Sequence, residues 1–400
     1  MNVLFLTLVE INSIQERGIY QDLLRKFVNE GHNVTIVTPM ERRKKVATNL
    51  KEVGNVKLLQ VKTLNIQKTN VLEKGIGTLA IEYQYLAAIK KYLSDSKFDL
   101  VLYSTPPITF YKVIHFIKKR DNAFAYLLLK DIFPQNAVDM KMIKAGSLLH
   151  KMFVKKEKKL YQISDAIGCM SQANVDFVLQ HNQEIKAEKV EVNPNSIEPK
   201  FIEYSDNEKK EIRAKYDLPL DKKILVYGGN LGKPQGLEFL LETIEKIAIE
   251  NIFYLIVGNG TEFDKVEKWF SNNDPRNAKL IQSLPKKDYD LLLGACDIGL
   301  IFLHKDFIIP NFPSRLLSYL EMKMPVIAAT DVNSDIGKVI EEANCGVWVA
   351  TGAIDEMKTA IQNCIANTDM MGENAKKLLL EEYHIEVSYK KITNRLDNVQ

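Results

Sequence analysis

The sequence predicts an α/β protein of two doubly wound, Rossmann-like domains facing a cleft, and three observations predict it. Short apolar runs alternate with segments of helical spacing along nearly the whole chain. The apolar runs are continuous rather than alternating, as parallel strands covered by helices on both faces should be. At 400 residues the chain is too long for one core, and the alternation restarts after Asn193-Pro-Asn-Ser-Ile-Glu-Pro199.

Residues 3–9 read as the first strand. Ile19, Tyr20, Leu23, Leu24, Phe27 and Val28 then recur at helical spacing, with Gly31 placed to end the helix. Next come strands 34–38 and 56–61, helix 79–93, strand 99–103, helix 108–119, strand 123–129, helix 148–163, strand 166–170 and helix 172–181. A charged stretch at 203–213 precedes the second series. Its strands fall near 223, 252, 278, 297, 325 and 346, with helices between. The expected domains are therefore 1–198 and 199–383.

Composition is ordinary for a globular protein, with 46% apolar and 26% charged residues. No apolar run reaches the roughly 18 residues a spanning helix needs, and no signal peptide is read at the N-terminus. Cys169, Cys296, Cys345 and Cys364 are scattered, which argues against a disulfide framework or a zinc site. The expectation is a reduced, cytoplasmic protein. Charge is asymmetric: residues 1–200 carry 30 Lys/Arg against 20 Asp/Glu, and residues 201–400 carry 24 against 31. A basic half suggests a polyanionic partner. Between 141 and 159 there are seven lysines and one glutamate, interleaved with Leu148, Leu149, Met152 and Phe153, with Leu160 following. That is either a basic amphipathic helix able to lie on an anionic membrane or a solvated face over a core stripe. No recognised nucleic-acid module is present.

The most informative stretch is Tyr227-Gly-Gly-Asn-Leu-Gly-Lys-Pro-Gln-Gly236, an apolar strand entering a glycine turn before a helix that starts at Leu237. Gly228, Gly229 and Gly232 let backbone N–H groups approach an anion, the helix start favours negative charge, and Lys233 adds a cation. A second stretch, Pro310-Asn-Phe-Pro-Ser-Arg315, opens a helix whose expected N-cap is Ser314. Arg315 in that first turn opposes the helix dipole, and a bound phosphate would account for it. Two such turns in one α/β half suggest a nucleoside diphosphate between them.

Competing motifs are weaker. A nicotinamide fingerprint needs G-x-G-x-x-G after the first strand, yet no glycine follows Val9 until Gly18. Gly258-Asn259-Gly260 follows a strand, with Phe263 in the third glycine's place, so it is a simple turn or a phosphate loop at the same sheet edge. Asp288-Tyr-Asp290 has metal-binding D-x-D form but opens an amphipathic helix, where acids suit the dipole. The six histidines lack ligand spacing, so no metal site is proposed, and His32 is read as structural. Asp131, just past an apolar strand, is either a cleft residue or a helix cap. Asn195 is a turn former or a hinge.

Taken together, Arg17-Gly-Ile-Tyr20, Gly31-His-Asn-Val34, Asp131-Ile-Phe-Pro134, Asn193-Pro-Asn195, the 229–236 turn, Gly258-Asn-Gly260 and Pro313-Ser-Arg-Leu316 resemble the retaining glycosyltransferases of family four. Within that family the chain looks most like the bacterial surface-polysaccharide subgroup, including fucosamine-type transferases. The resemblance covers essentially the whole chain and implies the GT-B fold, with a last helix at 384–400 crossing back to the first domain. It implies a C-terminal domain that binds a nucleotide-sugar, UDP-linked and carrying an N-acetylated hexosamine or 6-deoxyhexosamine. The acceptor it implies is a polyprenyl-diphosphate-linked saccharide of capsule or O-antigen biosynthesis, with residues 141–163 on the inner face of the cell membrane.

By the same resemblance, Gly229, Asn230, Gly232 and Lys233 contact the diphosphate, as do Pro313, Ser314, Arg315 and Leu316. Gly258, Asn259 and Gly260 join them, Leu284 and Pro285 form the base-contacting loop, and Arg17, Gly18, Ile19 and Tyr20 face the acceptor. Asp131 stands where many relatives carry a histidine near the donor sugar. The leaving phosphate takes the acceptor proton in such enzymes, so Asp131, Lys233 and Arg315 are the catalytic candidates, with neither a protein base nor a cofactor. The chain also departs from the family. Asn230 and Gln235 replace basic residues, leaving Lys233 and Arg315 to neutralise phosphate. The paired glutamates would fall near Pro310 and Ser318, so Ser318 and Glu321 are the donor-binding candidates there. A sugar-nucleotide 2-epimerase and a non-catalytic nucleotide-sugar-binding protein are the alternative readings.

Overall fold

The computed structural model describes residues 1–66 and 71–397. The chain forms two compact units, residues 1–198 with the helix Ile385–Asp397, and residues 199–384. The last three residues of the helix expected at 384–400 lie outside the described residues.

In the first unit the strands are β1 (Asn2–Leu6), β2 (Asn33–Glu41), β3 (Asn49–Val53), β4 (Val56–Thr63), β5 (Leu100–Ser104), β6 (Phe124–Leu129), β7 (Ala166–Cys169) and β8 (Val190–Val192). They form one sheet in the order β3-β4-β2-β1-β5-β6-β7-β8, with only the β3–β4 pair antiparallel. The central strands are buried end to end because helices cover both faces. The first strand stops at Leu6 rather than Val9. Thr7 and Thr38 hydroxyls instead take the Val9 and Ile11 amides (3.0 and 2.9 Å), turning the chain away.

Helix Ile19–Asn29 buries Leu23, Leu24 and Phe27, and Gly31 at φ +80° lets the chain leave it. The returning helix Ile385–Asp397 puts Ile385, Ile392 and Leu396 into the same core. Its Tyr389 ring meets Phe27 edge-on at 4.9 Å, and its hydroxyl bonds His32 Nε2 at 2.9 Å. His32 thus ties the ends of this unit together.

The second unit has β9 (Lys223–Asn230), β10 (Ile252–Asn259), β11 (Ala278–Gln282), β12 (Ile298–Phe302), β13 (Val326–Thr330) and β14 (Gly346–Ala350). All pairs are parallel, in the order β11-β10-β9-β12-β13-β14. Strand order reverses between β9 and β12, which in an open α/β sheet is where ligands bind.

Three local expectations are corrected. The helix expected at 79–93 begins at Val71. The charged stretch at 203–213 contains helix Asp206–Lys215, started by a reciprocal capping box between Ser205 and Glu208. β3 and β8 also escaped the apolar-run criterion, β3 because Lys51 and Glu52 are exposed on a sheet edge. Among the described residues no helix is long and apolar enough to cross a membrane.

Candidate active site

At the reversal point β9 and β12 pair only at Leu225–Ile298 and Val226–Gly299, whereas β9 and β10 stay paired to Asn230–Asn259. Beyond Val226 the β9–β12 gap is filled by the Tyr319 hydroxyl. It accepts from Gly228 N (3.2 Å) and lies 3.2 and 3.1 Å from the carbonyls of Val226 and Leu300. Tyr319 can reach there because Gly299 beneath it has no side chain; a Cβ would come within 2.4 Å of the ring. Tyr319 comes from helix Arg315–Glu321, so Arg315 stands one turn earlier on the same face.

The Arg315 guanidinium lies 4.4 Å over the Tyr227 ring, and its carbon is 3.6 Å from the Cβ position of Gly229. Its Nη1 is buried and, among the described residues, has no hydrogen-bond partner. The ionisable groups acting on it are Tyr227, Tyr319 and Tyr289. Burial pushes all three phenols up, so none supplies negative charge at neutral pH. A withdrawn cation with an unused donor and no carboxylate partner is costly alone, and an anion beside Gly229 relieves that cost.

The glycine turn differs from the expected cradle of backbone donors. Gly229 has φ +128° and Gly236, which starts helix Leu237–Lys246, has φ +55°. Two expected amides are already taken: Leu231 N donates to Asn259 O (2.9 Å) and Gly232 N to Gln235 Oε1 (3.2 Å). Asn230 Nδ2 donates to the same Gln235 oxygen at 3.0 Å. Where basic residues were expected, this pair staples the loop to itself. Lys233 is exposed at its tip.

Gly258 and Gly260 are glycines because the turn packs on them. A Cβ would stand 2.0 Å from Gly229 O and 2.2 Å from Leu231 O, respectively. Asn259 uses its side-chain oxygen on Gly260 N (2.8 Å). The motif shares the expected sheet edge and buttresses the turn.

In the second stretch Ser314 is the N-cap residue of helix Arg315–Glu321, as expected, but it makes no capping bond. It has helical angles (φ −65°, ψ −14°), and Leu316 N donates to Pro313 O at 3.2 Å. Leu316 is fully buried, so it serves the core. Glu321 is 3% exposed and accepts the Lys200 amide at 2.6 Å, which commits that carboxylate oxygen to the start of the unit. Ser318 is half-buried on the same helix. Leu284 is half-buried and Pro285 exposed, just before helix Lys286–Leu293. Asp288 and Asp290 face Lys215 (3.8 Å) and Lys286. Among the described residues no group of three His, Cys, Asp or Glu is disposed to hold a metal. Tyr289, between the two acids, reads from spacing only as part of the apolar face of that amphipathic helix, with Leu292, Leu293 and Cys296.

In the first unit Asp131 follows β6. Both carboxylate oxygens accept from Asn136 Nδ2 (2.8 and 2.7 Å), and burial raises the carboxyl from 3.8 to about 6. The next helix, Gln135–Asp139, has Pro134 at its N-cap, so Asp131 holds that helix through Asn136's side chain. The neighbouring Lys130 is lowered to about 7 by burial and donates to Asn193 O (3.0 Å). Asn193 continues through Tyr126 and Glu191 to Arg395 on the returning helix (2.9, 2.7 and 3.0 Å). Among the described residues the buried Oδ1 of Asn195 has no partner.

Arg17 and Gly18 lead into helix Ile19–Asn29, beside the first sheet's own reversal between β1 and β5. Tyr20 there packs on Phe5 (5.1 Å), with Ser104 near its hydroxyl. Helix Leu148–Ile163 buries Phe153, Glu157, Leu160 and Tyr161 and exposes Lys151, Lys155 and Lys159. At its N-terminal end Leu148 is 87% and Leu149 49% exposed, and Met142, in the segment before the helix, is 74% exposed.

Residues 208–378 match the family described as "Glycosyl transferases group 1". "Probable glycosyltransferase WbjE" of Pseudomonas aeruginosa is 22% identical over 287 residues, covering 70% of this chain and 68% of its own length. "Putative colanic acid biosynthesis glycosyl transferase WcaI" of Escherichia coli (strain K12) is 29% identical over 181 residues, covering 44% and 43%. Among solved structures, Anabaena Alr3699/HepE in complex with UDP superposes with TM-score 0.71 at 13% identity, over 100% of both chains. WaaG, titled a glycosyltransferase involved in lipopolysaccharide biosynthesis, gives 0.65 at 15% identity over 100% of this chain and 99% of its own. The chain has the GT-B fold of these solved structures; with its glycosyl transferases group 1 domain over residues 208–378 and relatives named as glycosyltransferases, it is a glycosyltransferase.

Proposed function

We propose that the protein is a retaining, metal-independent glycosyltransferase of family four that moves a sugar from a nucleoside diphosphate, UDP-linked, to a lipid-linked saccharide in surface-polysaccharide synthesis. One observation carries the donor site: the buried, unpartnered Nη1 of Arg315 beside Gly229 at the β9–β12 reversal. As the glycosidic bond breaks, negative charge grows on the leaving phosphate. Arg315 and Lys233 would stabilise it electrostatically, and Asp131 would orient the sugar. UDP in the HepE structure and the colanic acid and lipopolysaccharide roles in relatives' names support the donor and acceptor classes. A fucosamine-type donor, with capsule or O-antigen as the product, rests on the sequence resemblance.

The test is a thermal-shift screen of UDP- and GDP-sugars, followed by assay of free nucleoside diphosphate with and without a lipid-linked acceptor. Release only when both are present is the expected result. Release without acceptor would favour an epimerase or hydrolase, and binding without turnover across an acceptor panel a non-catalytic protein.

The acceptor's lipid would bring the enzyme to an anionic membrane, at the cytoplasmic face. Exposed Leu148, Leu149 and Met142 beside Lys151, Lys155 and Lys159 support that reading, since an apolar tip flanked by cations suits a headgroup boundary. Charge reversal at Lys151, Lys155 and Lys159 is expected to release the protein from phosphatidylserine-containing vesicles at physiological salt. Undiminished co-sedimentation would reject the docking face.

A further inference from the structure

Tyr289 stands at the β9–β12 gap with no role in the donor reading given above. It projects from helix Lys286–Leu293, and its hydroxyl lies so close over Gly228 that a Cβ there would be 1.8 Å away. Gly228 therefore has to be glycine for Tyr289 to occupy this place. Tyr289 is half-buried, and among the described residues its hydroxyl makes no hydrogen bond, although Tyr319 and Arg315 are near enough to act on it. A hydroxyl held over a glycine and not used within the protein is a donor open to a ligand.

The arrangement repeats itself on adjacent residues. The Tyr289 hydroxyl lies over Gly228, and the Arg315 guanidinium lies against Gly229, with its own Nη1 unpartnered. Two unused donors converge on a backbone step that carries no side chains. Burial holds the phenol well above its ordinary pKa, so it remains a donor at neutral pH. A diphosphate offers several acceptor oxygens, and Asn230 and Gln235, spent on each other, are not placed to meet them.

We propose that Tyr289 is a donor-binding residue whose hydroxyl donates to a phosphate oxygen of the nucleoside diphosphate beside Arg315. This rests on the diphosphate reading of the site. The test is calorimetric titration of the full chain with UDP, GDP and inorganic pyrophosphate. Tyr289→Phe keeps the ring and removes only the oxygen. It is expected to weaken the preferred nucleotide and pyrophosphate about tenfold each, the cost of one hydrogen bond to a charged acceptor. Its thermal midpoint without ligand should not fall, and donor KM should rise with acceptor KM unchanged.

Equal affinities for wild type and Tyr289→Phe would overturn the proposal. So would a loss confined to nucleotides and absent for pyrophosphate, since the hydroxyl would then serve the nucleoside. The underlying reading fails separately: wild-type protein that binds none of the three, or an Arg315→Met variant that binds them as well as wild type, would remove the diphosphate itself.

Discussion

Arg315→Met is expected to lower kcat/KM for transfer about 10²- to 10³-fold, the loss seen when one preorganised donor to a developing charge is deleted. The same change should leave the folded protein as stable as before or more so. In the free enzyme the guanidinium is withdrawn from water, stacked on Tyr227, and keeps a buried Nη1 with no partner. An unbranched apolar chain of similar length removes that desolvated charge and can lie over the same ring. A residue that helps the fold loses stability when replaced; one held for a ligand loses activity and spares stability. Paired kcat/KM and thermal-midpoint measurements separate the two. A midpoint lowered by several degrees with transfer near normal would make Arg315 a structural residue. Arg315→Lys should recover little, because an ammonium cannot both stack on Tyr227 and extend a planar fork. Lys233→Ala, on an exposed side chain, should reduce turnover and leave the midpoint unchanged.

The fold was legible because its strands are apolar throughout and its helices carry their own end signals. Helices Leu148–Ile163 and Gln172–His181 appear with the bounds the spacing predicts. Elements that depend on other signals were harder to see. β3 carries the charged Lys51 and Glu52 among its five residues, and helix Asp206–Lys215 shows its start only in the Ser205–Glu208 box. The site was legible as a place but less so as chemistry. Glycines mark where backbone comes close, and sequence does not say to what. Gly258 and Gly260 admit the neighbouring loop, Gly228 admits Tyr289, and Gly299 admits Tyr319. Gln235's capture of the Gly232 amide, and Glu321's of the Lys200 amide, arise from tertiary packing that no spacing encodes.

Transfer is expected to show an acid limb near pH 6 that belongs to Asp131. Burial lifts this carboxyl from 3.8 to about 6, against the opposing bonds from Asn136 and the Ile132 amide. If the charged carboxylate serves the sugar, kcat/KM falls about tenfold per pH unit below that value and is flat above it. Asp131→Asn should remove the limb along with most of the activity. Asn136→Ala should move the limb upward, since it deletes the donor that favours the charged form.

Stability supplies an independent check whose sign is fixed. Below about pH 4 the carboxyl is protonated folded and unfolded, and contributes nothing. From about 4 to 6 the unfolded chain ionises while the folded protein does not, so wild type loses stability as pH rises; above 6 the loss is constant. Its size is at most about 2–3 kcal/mol, the value of a shift of roughly two units. The raised Glu157, lifted to about 7 by burial, titrates in both proteins and cancels in their difference. The gap in thermal midpoint between Asp131→Asn and wild type should therefore move in the variant's favour across pH 4–6, whatever its value at pH 4. A gap that stays constant over that interval means the carboxyl ionises in water-like surroundings, and an Asp131 so exposed could not hold the acid limb at pH 6.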